Sequence, residues 1–149
     1  MENTVILLVE DNADDEELIR IALQESNIVS QLIVVHSGAE ALDYLFGTGP
    51  YAGRALSGMP HLILLDVKLP KVHGLEVLRR LRADNRTMLL PVVILTSSDE
   101  EKDVLTSYSL GANSYIRKPV DYVQFTEAVR QLGLYWLVLN EPPPRRLRV

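Results

Sequence analysis

The stretch HLILLDVKLP, residues 61–70, decides how this chain can fold. Its four consecutive apolar residues, Leu62 to Leu65, are typical of a strand that is buried on both faces of a parallel sheet. That strand runs directly into Asp66. Burying a lone carboxylate is unfavourable unless it is paired, bound to a metal or protonated, so the position of Asp66 needs a chemical reason.

Strand-like and helix-like segments alternate along the rest of the chain. Further apolar runs predict strands at VILLV (5–9), LIVV (32–35), VVIL (92–95) and SYI (114–116). Segments with helical spacing follow the strands at 12–26, 38–46, 74–82, 99–110 and about 121–139. This (βα)5 order predicts an α/β fold, a doubly wound parallel sheet with right-handed crossovers. In such sheets functional groups gather at the carboxyl ends of the strands.

Composition excludes several classes of protein. The chain has 149 residues, is 47% hydrophobic and has a net charge of −5, which favours one globular domain and argues against general nucleic-acid binding. The absence of cysteine excludes disulfides and thiolate metal sites. No apolar run predicts a membrane span and the N-terminus lacks signal-peptide features, so we expect a cytoplasmic protein without a membrane partner. We expect a domain over 1–140 and a solvated, proline- and arginine-rich tail over 141–149.

Polar residues of related chemistry occupy the predicted strand ends. Glu10 and Asp11 follow the first strand, Asp66 the third, Thr96 the fourth and Lys118 the fifth. Three converging carboxylates repel one another, and a hard cation such as Mg²⁺ relieves that repulsion. The lysine and the hydroxyl suit a phosphoryl group, for which aspartate is a known nucleophile. The pattern therefore predicts that Asp66 accepts phosphoryl groups beside Mg²⁺.

Other polar residues are expected to have ordinary roles. Asp14 and Asp15 are predicted to be solvated acids in the first turn of a helix, where the helix dipole favours them. The three histidines, His36, His61 and His73, show no metal-binding spacing, and we expect them on the surface or in packing contacts.

Four motifs give the chain a family resemblance over residues 3–138. They are LLVEDN (7–12), ILLDVKLP (63–70), VVILTSS (92–98) and YIRKP (115–119). Together they resemble the receiver domain of two-component response regulators. The resemblance implies a flavodoxin-like fold with strand order 2-1-3-4-5, an order that is also known from a receiver protein.

The resemblance also implies a role for each site residue. Asp66 would be the phosphoacceptor, with Asp66 and Asp11 as direct Mg²⁺ ligands. Glu10 would act on the ion through a bound water, and the backbone carbonyl of Lys68 would be a further ligand. Thr96 and Lys118 would hold phosphoryl oxygens. The aromatic switch position of the family falls on Tyr115, which would move together with Thr96 on phosphorylation.

Two features make the chain resemble one particular group of receiver domains. The connection over 47–60 is longer than the roughly 2–6 residues usual between a helix and a strand, and LGLYWLVLNEPP (132–143) is distinctive. Both resemble small stand-alone receivers that pair with cyanobacterial phytochrome histidine kinases. The implied function is a single-domain response regulator in a phosphorelay, which accepts a phosphoryl group from a histidine kinase and signals by binding a partner. It would not be an enzyme beyond its own phosphotransfer and dephosphorylation.

The sequence departs from the common receiver pattern in three places. Glu10 stands where aspartate is more usual, and His73 precedes Gly74 where an acid or amide is frequent. Lys68, two residues after the phosphoacceptor, could contact the phosphoryl group or Glu10.

Alternative functions remain at this point. A phosphorylation-independent interaction module would use the same fold without the chemistry. A phosphatase of the haloacid dehalogenase type needs a second acid where the chain has Lys68. A flavin or nucleotide domain needs a phosphate loop after the first strand, where the acidic EDNADD (10–15) would repel phosphate.

The final helix carries more apolar residues than one core-facing stripe needs. Helical spacing predicts an inward face of Phe125, Val129, Leu132, Trp136 and Leu139. A second set projects elsewhere, namely Leu134, Tyr135, Leu137 and Val138. Exposed apolar clusters usually mark interfaces, which predicts a two-fold homodimer through the fourth helix, fifth strand and fifth helix. The alternative is that the tail prolines fold back and cover the cluster.

Overall fold

The structure, a computed structural model, describes residues 4–26, 31–54, 58–98, 100–119 and 121–144. Five parallel strands form one sheet in the order β2-β1-β3-β4-β5, which confirms the predicted topology. The strands are β1 (Val5–Val9), β2 (Gln31–Val35), β3 (Leu62–Leu65), β4 (Val92–Thr96) and β5 (Ser114–Arg117). Because neighbouring strands run in one direction, their carboxyl ends share one edge of the sheet.

A helix follows each strand. The helices are α1 (Ala13–Ser26), α2 (Gly38–Phe46), α3 (Gly74–Arg82), α4 (Glu101–Ser109) and α5 (Tyr122–Leu134). The start of α2 is as predicted, because the Ser37 hydroxyl accepts a hydrogen bond from the Glu40 amide. The predicted first residue of the fourth helix, at position 99, lies outside the described residues. No helix within the described ranges is both long and apolar enough to span a membrane.

The core lies on both faces of the sheet. Leu7 and Val9 of β1 pack into the cluster that includes α2 and α3, while Ile6 and Leu8 pack into the cluster that includes α1 and α5. All four side chains are buried. The same two-sided burial applies to β3, which explains why its sequence lacks polar alternation.

The end of the last helix differs from the prediction. A π-helical turn, Tyr135–Leu139, follows α5, and Asn140 N–H donates to the Tyr135 carbonyl five residues earlier at 2.7 Å. The wider turn shifts the side-chain register. Leu137 therefore packs against the core, and Leu139 is 66% exposed, so the predicted orientations of both were wrong. The earlier inward residues follow the prediction, with Phe125, Val129 and Leu132 buried.

The long connection between α2 and β3 packs against α2. It contains a short 3₁₀ turn, Gly49–Tyr51, and the Tyr51 ring meets the Tyr44 ring edge to face at 5.2 Å. The Arg54 guanidinium lies over Tyr44, 4.1 Å from the ring centroid. Residues 55–57 of this connection, and 145–149 of the tail, lie outside the described part of the chain.

The described prolines of the tail, Pro142 to Pro144, line a cleft with Trp136 and His61. They do not cover Leu139, which stays exposed. The alternative that the tail prolines fold back therefore holds beside Trp136, but these prolines leave part of the apolar end of the chain open to solvent.

Candidate functional site

The sheet edge brings the predicted site residues together. Glu10 and Asp11 directly follow β1, Asp66 follows β3, Thr96 ends β4 and Lys118 follows β5. These four strands are consecutive neighbours in the sheet. Residues that are far apart in the chain thus face one small volume, as the strand-end pattern predicted.

Asp66 is buried, with 7% of its surface exposed, and both of its carboxylate oxygens have donors. Oδ1 accepts from the Thr96 hydroxyl at 2.5 Å and from the Val67 amide at 2.7 Å. Oδ2 lies 3.3 Å from Lys118 Nζ. The burial of this carboxylate is therefore compensated by a hydroxyl, an amide and a cation.

The loop after β3 fixes the backbone around Asp66. Gly74 N–H donates to the Val67 carbonyl at 2.8 Å. A Cβ atom at Gly74 would collide with the Asp66 carbonyl oxygen, so only glycine permits this approach of α3 to the loop. His73 caps α3, because its Nδ1 accepts from the Leu75 amide at 3.2 Å. The capping role of His73 was not predicted from sequence.

Three carboxylates form a candidate cation site. Glu10, Asp11 and Asp66 each offer an oxygen, and these oxygens lie within 4.8 Å of one another. Glu10 and Asp66 are buried, whereas Asp11 is exposed, so solvent reaches the group from the Asp11 side. An all-oxygen donor set of this kind fits a hard divalent cation, which usually keeps several waters.

Burial raises the pKa of Glu10 from 4.5 to about 7, and the ammonium of Lys118 opposes that rise. A buried carboxyl group with a raised pKa is strongly stabilised in its ionised form by a nearby cation. The raised pKa is therefore consistent with a site that binds a divalent ion at the expense of a proton.

Lys118 lies at the centre of the acids, with only 6% of its side chain exposed. Its Nζ contacts Glu10 Oε1 at 2.5 Å, Asp15 Oδ2 at 2.8 Å and Asp66 Oδ2 at 3.3 Å. Burial alone would lower the pKa of Lys118, but these three acids together raise it above its ordinary value. The lysine is therefore a permanent cation beside Asp66.

The contacts of two charged side chains near the site, Asp15 and Lys68, differ from those expected from the sequence. Asp15 was predicted to be solvated, but it contacts Lys118 because α1 begins directly above the strand ends. Its place in the first turn of the helix that follows Glu10 and Asp11 almost directly was the signal that could have revealed it. The Lys68 side chain is exposed and lies 3.6 Å from Glu100, so of its two possible partners, the phosphoryl group and Glu10, it does not contact Glu10 in this structure.

The Thr96 and Tyr115 side chains are linked through Ser98. The Tyr115 hydroxyl donates to the Ser98 carbonyl at 2.8 Å, and Ser98 N–H donates to Thr96 Oγ1 at 3.3 Å. The Ser98 hydroxyl in turn donates to Asp103 of α4 at 2.6 Å. A change at Thr96 would therefore reach both Tyr115 and α4 through Ser98, a residue that sequence reasoning did not single out.

The remaining histidines have the ordinary roles expected of them. His61 Nδ1 accepts from the Val5 amide at 3.1 Å, and His36 Nε2 lies 2.9 Å from Glu16 on the surface. Among the described residues, the only group of three or more potential metal-binding side chains is Glu10, Asp11 and Asp66.

Comparison with known families agrees with this geometry. The family model for the response regulator receiver domain matches residues 6–130. The chain is 38% identical over 133 residues to response regulator Rcp1 of Synechocystis sp. (strain ATCC 27184 / PCC 6803 / Kazusa), covering 89% of this chain and 88% of Rcp1.

Solved structures of similar proteins share the fold. The phosphorylated cyanobacterial phytochrome response regulator RcpA is 38% identical, with a TM-score of 0.89 over 96% of this chain and 100% of RcpA. Rcp1 in its Mn²⁺-bound form is 36% identical, with a TM-score of 0.88 over 95% of this chain and 99% of that one. The bacteriophytochrome response regulator RtBRR is 51% identical, with a TM-score of 0.75 over 97% of this chain and 86% of that one.

Proposed function

The chain belongs to the response regulator receiver domain family, and from that premise we propose that it accepts a phosphoryl group on Asp66 from a partner histidine kinase. One observation carries this proposal most directly. Asp66 belongs to the cluster of three carboxylates suited to a cation, one of its oxygens lies 3.3 Å from the buried Lys118 ammonium, and the other accepts a hydrogen bond from the Thr96 hydroxyl. These are the groups that phosphoryl transfer to a carboxylate needs.

In the proposed reaction, an Asp66 carboxylate oxygen forms a bond to phosphorus while the bond from phosphorus to the donor nitrogen breaks. The electron pair of the broken bond stays on the donor imidazole. Lys118 offsets the charge on the transferred phosphoryl oxygens, and the Thr96 hydroxyl can turn from Asp66 to donate to one of them. The product is an aspartyl phosphate, which water later hydrolyses.

We propose Mg²⁺ as the cofactor. Asp11 and Asp66 would bind it directly, Glu10 through a water, and Lys68 through its backbone carbonyl. The ion would neutralise charge on the phosphoryl group and fix its orientation. Support comes from the all-oxygen donor set and from the Mn²⁺ that is bound in the similar protein Rcp1.

The proposed signal is a change of the surface near α4 and β5. When Thr96 turns towards a phosphoryl group, its contact with the Ser98 amide changes, and Ser98 also holds Tyr115 and Asp103. A local change in charge would thus bias the positions of the aromatic ring and of α4.

The proposed kinase partner is a phytochrome, because the similar proteins RcpA and RtBRR are phytochrome response regulators. Such a role in a phosphorelay would be cytoplasmic and would need no nucleic acid or membrane contact. The receiver domain would cover residues 1–140 and be followed by a tail over 141–149, and it would catalyse only its own phosphotransfer and dephosphorylation.

We also propose a homodimer through α4, β5 and α5. Large apolar side chains are exposed on both helices, with Leu105 at 63% and Tyr108 at 51% on α4, and Tyr122 at 57% and Val123 at 68% on α5. Exposed apolar clusters with aromatic rings are typical of interface cores.

The test of the proposed chemistry is the intact mass of the protein after incubation with acetyl phosphate and Mg²⁺. The wild-type chain should gain one phosphoryl group, and Asp66→Asn should gain none. Asp11→Ala should bind Mg²⁺ much more weakly and so label slowly. An unlabelled wild-type protein, tested also with a phosphorylated histidine kinase, would instead support a phosphorylation-independent interaction module.

A further inference from the structure

Asp15 is the one acid of the site that comes from a helix. It is the third residue of α1, and its carboxylate reaches back over the sheet edge to Lys118. With 26% of its side chain exposed, Asp15 is more open to solvent than the other two acids that contact Lys118, Glu10 at 2% and Asp66 at 9%.

Lys118 has no spare proton for a new partner. An ammonium group has three N–H donors, and Glu10, Asp15 and Asp66 take one each. The contact with Asp66 is the longest of the three, at 3.3 Å against 2.8 Å for Asp15 and 2.5 Å for Glu10. Glu10 and Asp15 therefore both draw the ammonium away from the carboxylate that would be phosphorylated, and Asp15 is the more exposed of these two acids.

A phosphoryl group on Asp66 would change this balance. The group brings extra negative charge and several strong acceptor oxygens, so Lys118 would donate to it more strongly than to the free carboxylate. One of the present contacts must then lengthen or break. Asp15 is the least buried of the three acids, so water can replace Lys118 as the partner of its carboxylate at the smallest cost in free energy.

We propose that Asp15 is a positioning residue that restrains Lys118 and thereby slows phosphorylation of Asp66. This inference rests on the proposed function of Asp66. Neutralising Asp15 removes a competitor for the ammonium, and it also removes a negative charge that repels the incoming phosphoryl donor. Both effects act in the same direction, so the variant without the charge should be phosphorylated faster than the wild-type chain.

The test compares three variants at saturating Mg²⁺. Asp15→Asn should label with acetyl phosphate about 2–5-fold faster than wild type, the ratio expected for loss of one partly screened ion pair. Asp15→Glu keeps the charge and should restore a rate near that of wild type. Asp14→Asn is the matched control, because Asp14 is exposed, lies one residue away and loses the same formal charge.

Two readouts separate positioning from a merely structural role. Asp15→Asn should also bind beryllofluoride, a phosphoryl mimic, more tightly, while Asp14→Asn should not. The ¹⁵N resonance of the Lys118 ammonium should shift in Asp15→Asn before any donor is added.

A labelling rate of Asp15→Asn equal to or slower than that of wild type, or an equal acceleration by Asp14→Asn, would overturn the inference. A wild-type chain that never labels, despite a Lys118 signal that shifts as expected, would instead locate the failure in the proposed function.

Discussion

Replacing Lys118 by methionine should destabilise the domain strongly at neutral and mildly alkaline pH. The substitution keeps a long apolar stem but removes the cation that Glu10, Asp15 and Asp66 share. Two of these acids are almost fully buried, with 2% and 9% of their side chains exposed. Their charges would then lie close together without compensation.

The size of the effect follows from that burial. Removing one partner of a buried ion pair usually costs about 3–5 kcal/mol. Because Asp15 is partly exposed and water can enter beside it, we expect about 3 kcal/mol, at the lower end of that range. For a domain of this size each kcal/mol corresponds to about 2–4 °C, so the melting temperature should fall by about 6–12 °C.

The pH dependence carries a definite sign. The acids raise the pKa of Lys118 above its ordinary 10.5, so its stabilising contribution is complete below that value and is lost only in strongly alkaline solution. Glu10, whose pKa burial raises to about 7, can lose its charge by binding a proton as the pH falls, which lessens the repulsion that the missing lysine leaves. The loss of stability should therefore shrink to about 1–2 kcal/mol near pH 5 and be largest near pH 8.

Urea unfolding followed by circular dichroism, at about pH 5 and about pH 8 without Mg²⁺, measures both quantities. Lys102→Met is the matched control, because the Lys102 side chain is 82% exposed and should lose less than about 0.5 kcal/mol. A loss below about 1 kcal/mol for Lys118→Met at pH 8, or an equal loss at both pH values, would refute the inference that Lys118 compensates buried charges.

Three further predictions concern the ion, the switch and the interface. Mg²⁺ affinity, measured by fluorescence or calorimetry, should rise between about pH 6 and about pH 8, because burial raises the pKa of Glu10 to about 7 and the ion favours the charged carboxylate. Glu10→Gln should bind Mg²⁺ more weakly. If that variant kept the wild-type pH profile, Glu10 would not be the group responsible. Thr96→Ala should still accept a phosphoryl group but lose most of the change that NMR detects at Tyr115, and a wild-type response would argue against coupling through Ser98. Leu105→Glu should convert a dimer to a monomer in light scattering, whereas Met88→Glu, also exposed but in the loop before β4, should not; a strictly monomeric wild-type chain would rule out the interface.

Much of the fold was predictable because burial on both faces leaves a clear pattern. Each strand of the centre is a continuous apolar run, and each run is followed by a helical period. The grouping of the site residues was predictable because the carboxyl ends of parallel strands lie at one edge of the sheet, so residues that follow different strands meet there. Asp66, Thr96 and Lys118 were therefore identifiable together although long stretches of chain separate them.

The features that were missed depend on local geometry rather than on periodicity. The π-helical turn at Tyr135–Leu139 exchanges the orientations of Leu137 and Leu139, and a regular helical period cannot anticipate it. The contact of Asp15 with Lys118 depends on how the first turn of α1 sits over the sheet. Likewise, the cap formed by His73 and the link formed by Ser98 arise from loop conformations that composition does not encode.

Locating the phosphorylated residue tests the role of Asp66 most directly. The protein would be labelled with acetyl phosphate and Mg²⁺, and then treated with borohydride, which reduces an aspartyl phosphate to homoserine. Peptide mass spectrometry should find homoserine at position 66 and nowhere else. Homoserine at another aspartate such as Asp11, or phosphate that survives the reduction on a hydroxyl or imidazole side chain, would contradict the assignment of Asp66 as the phosphoacceptor.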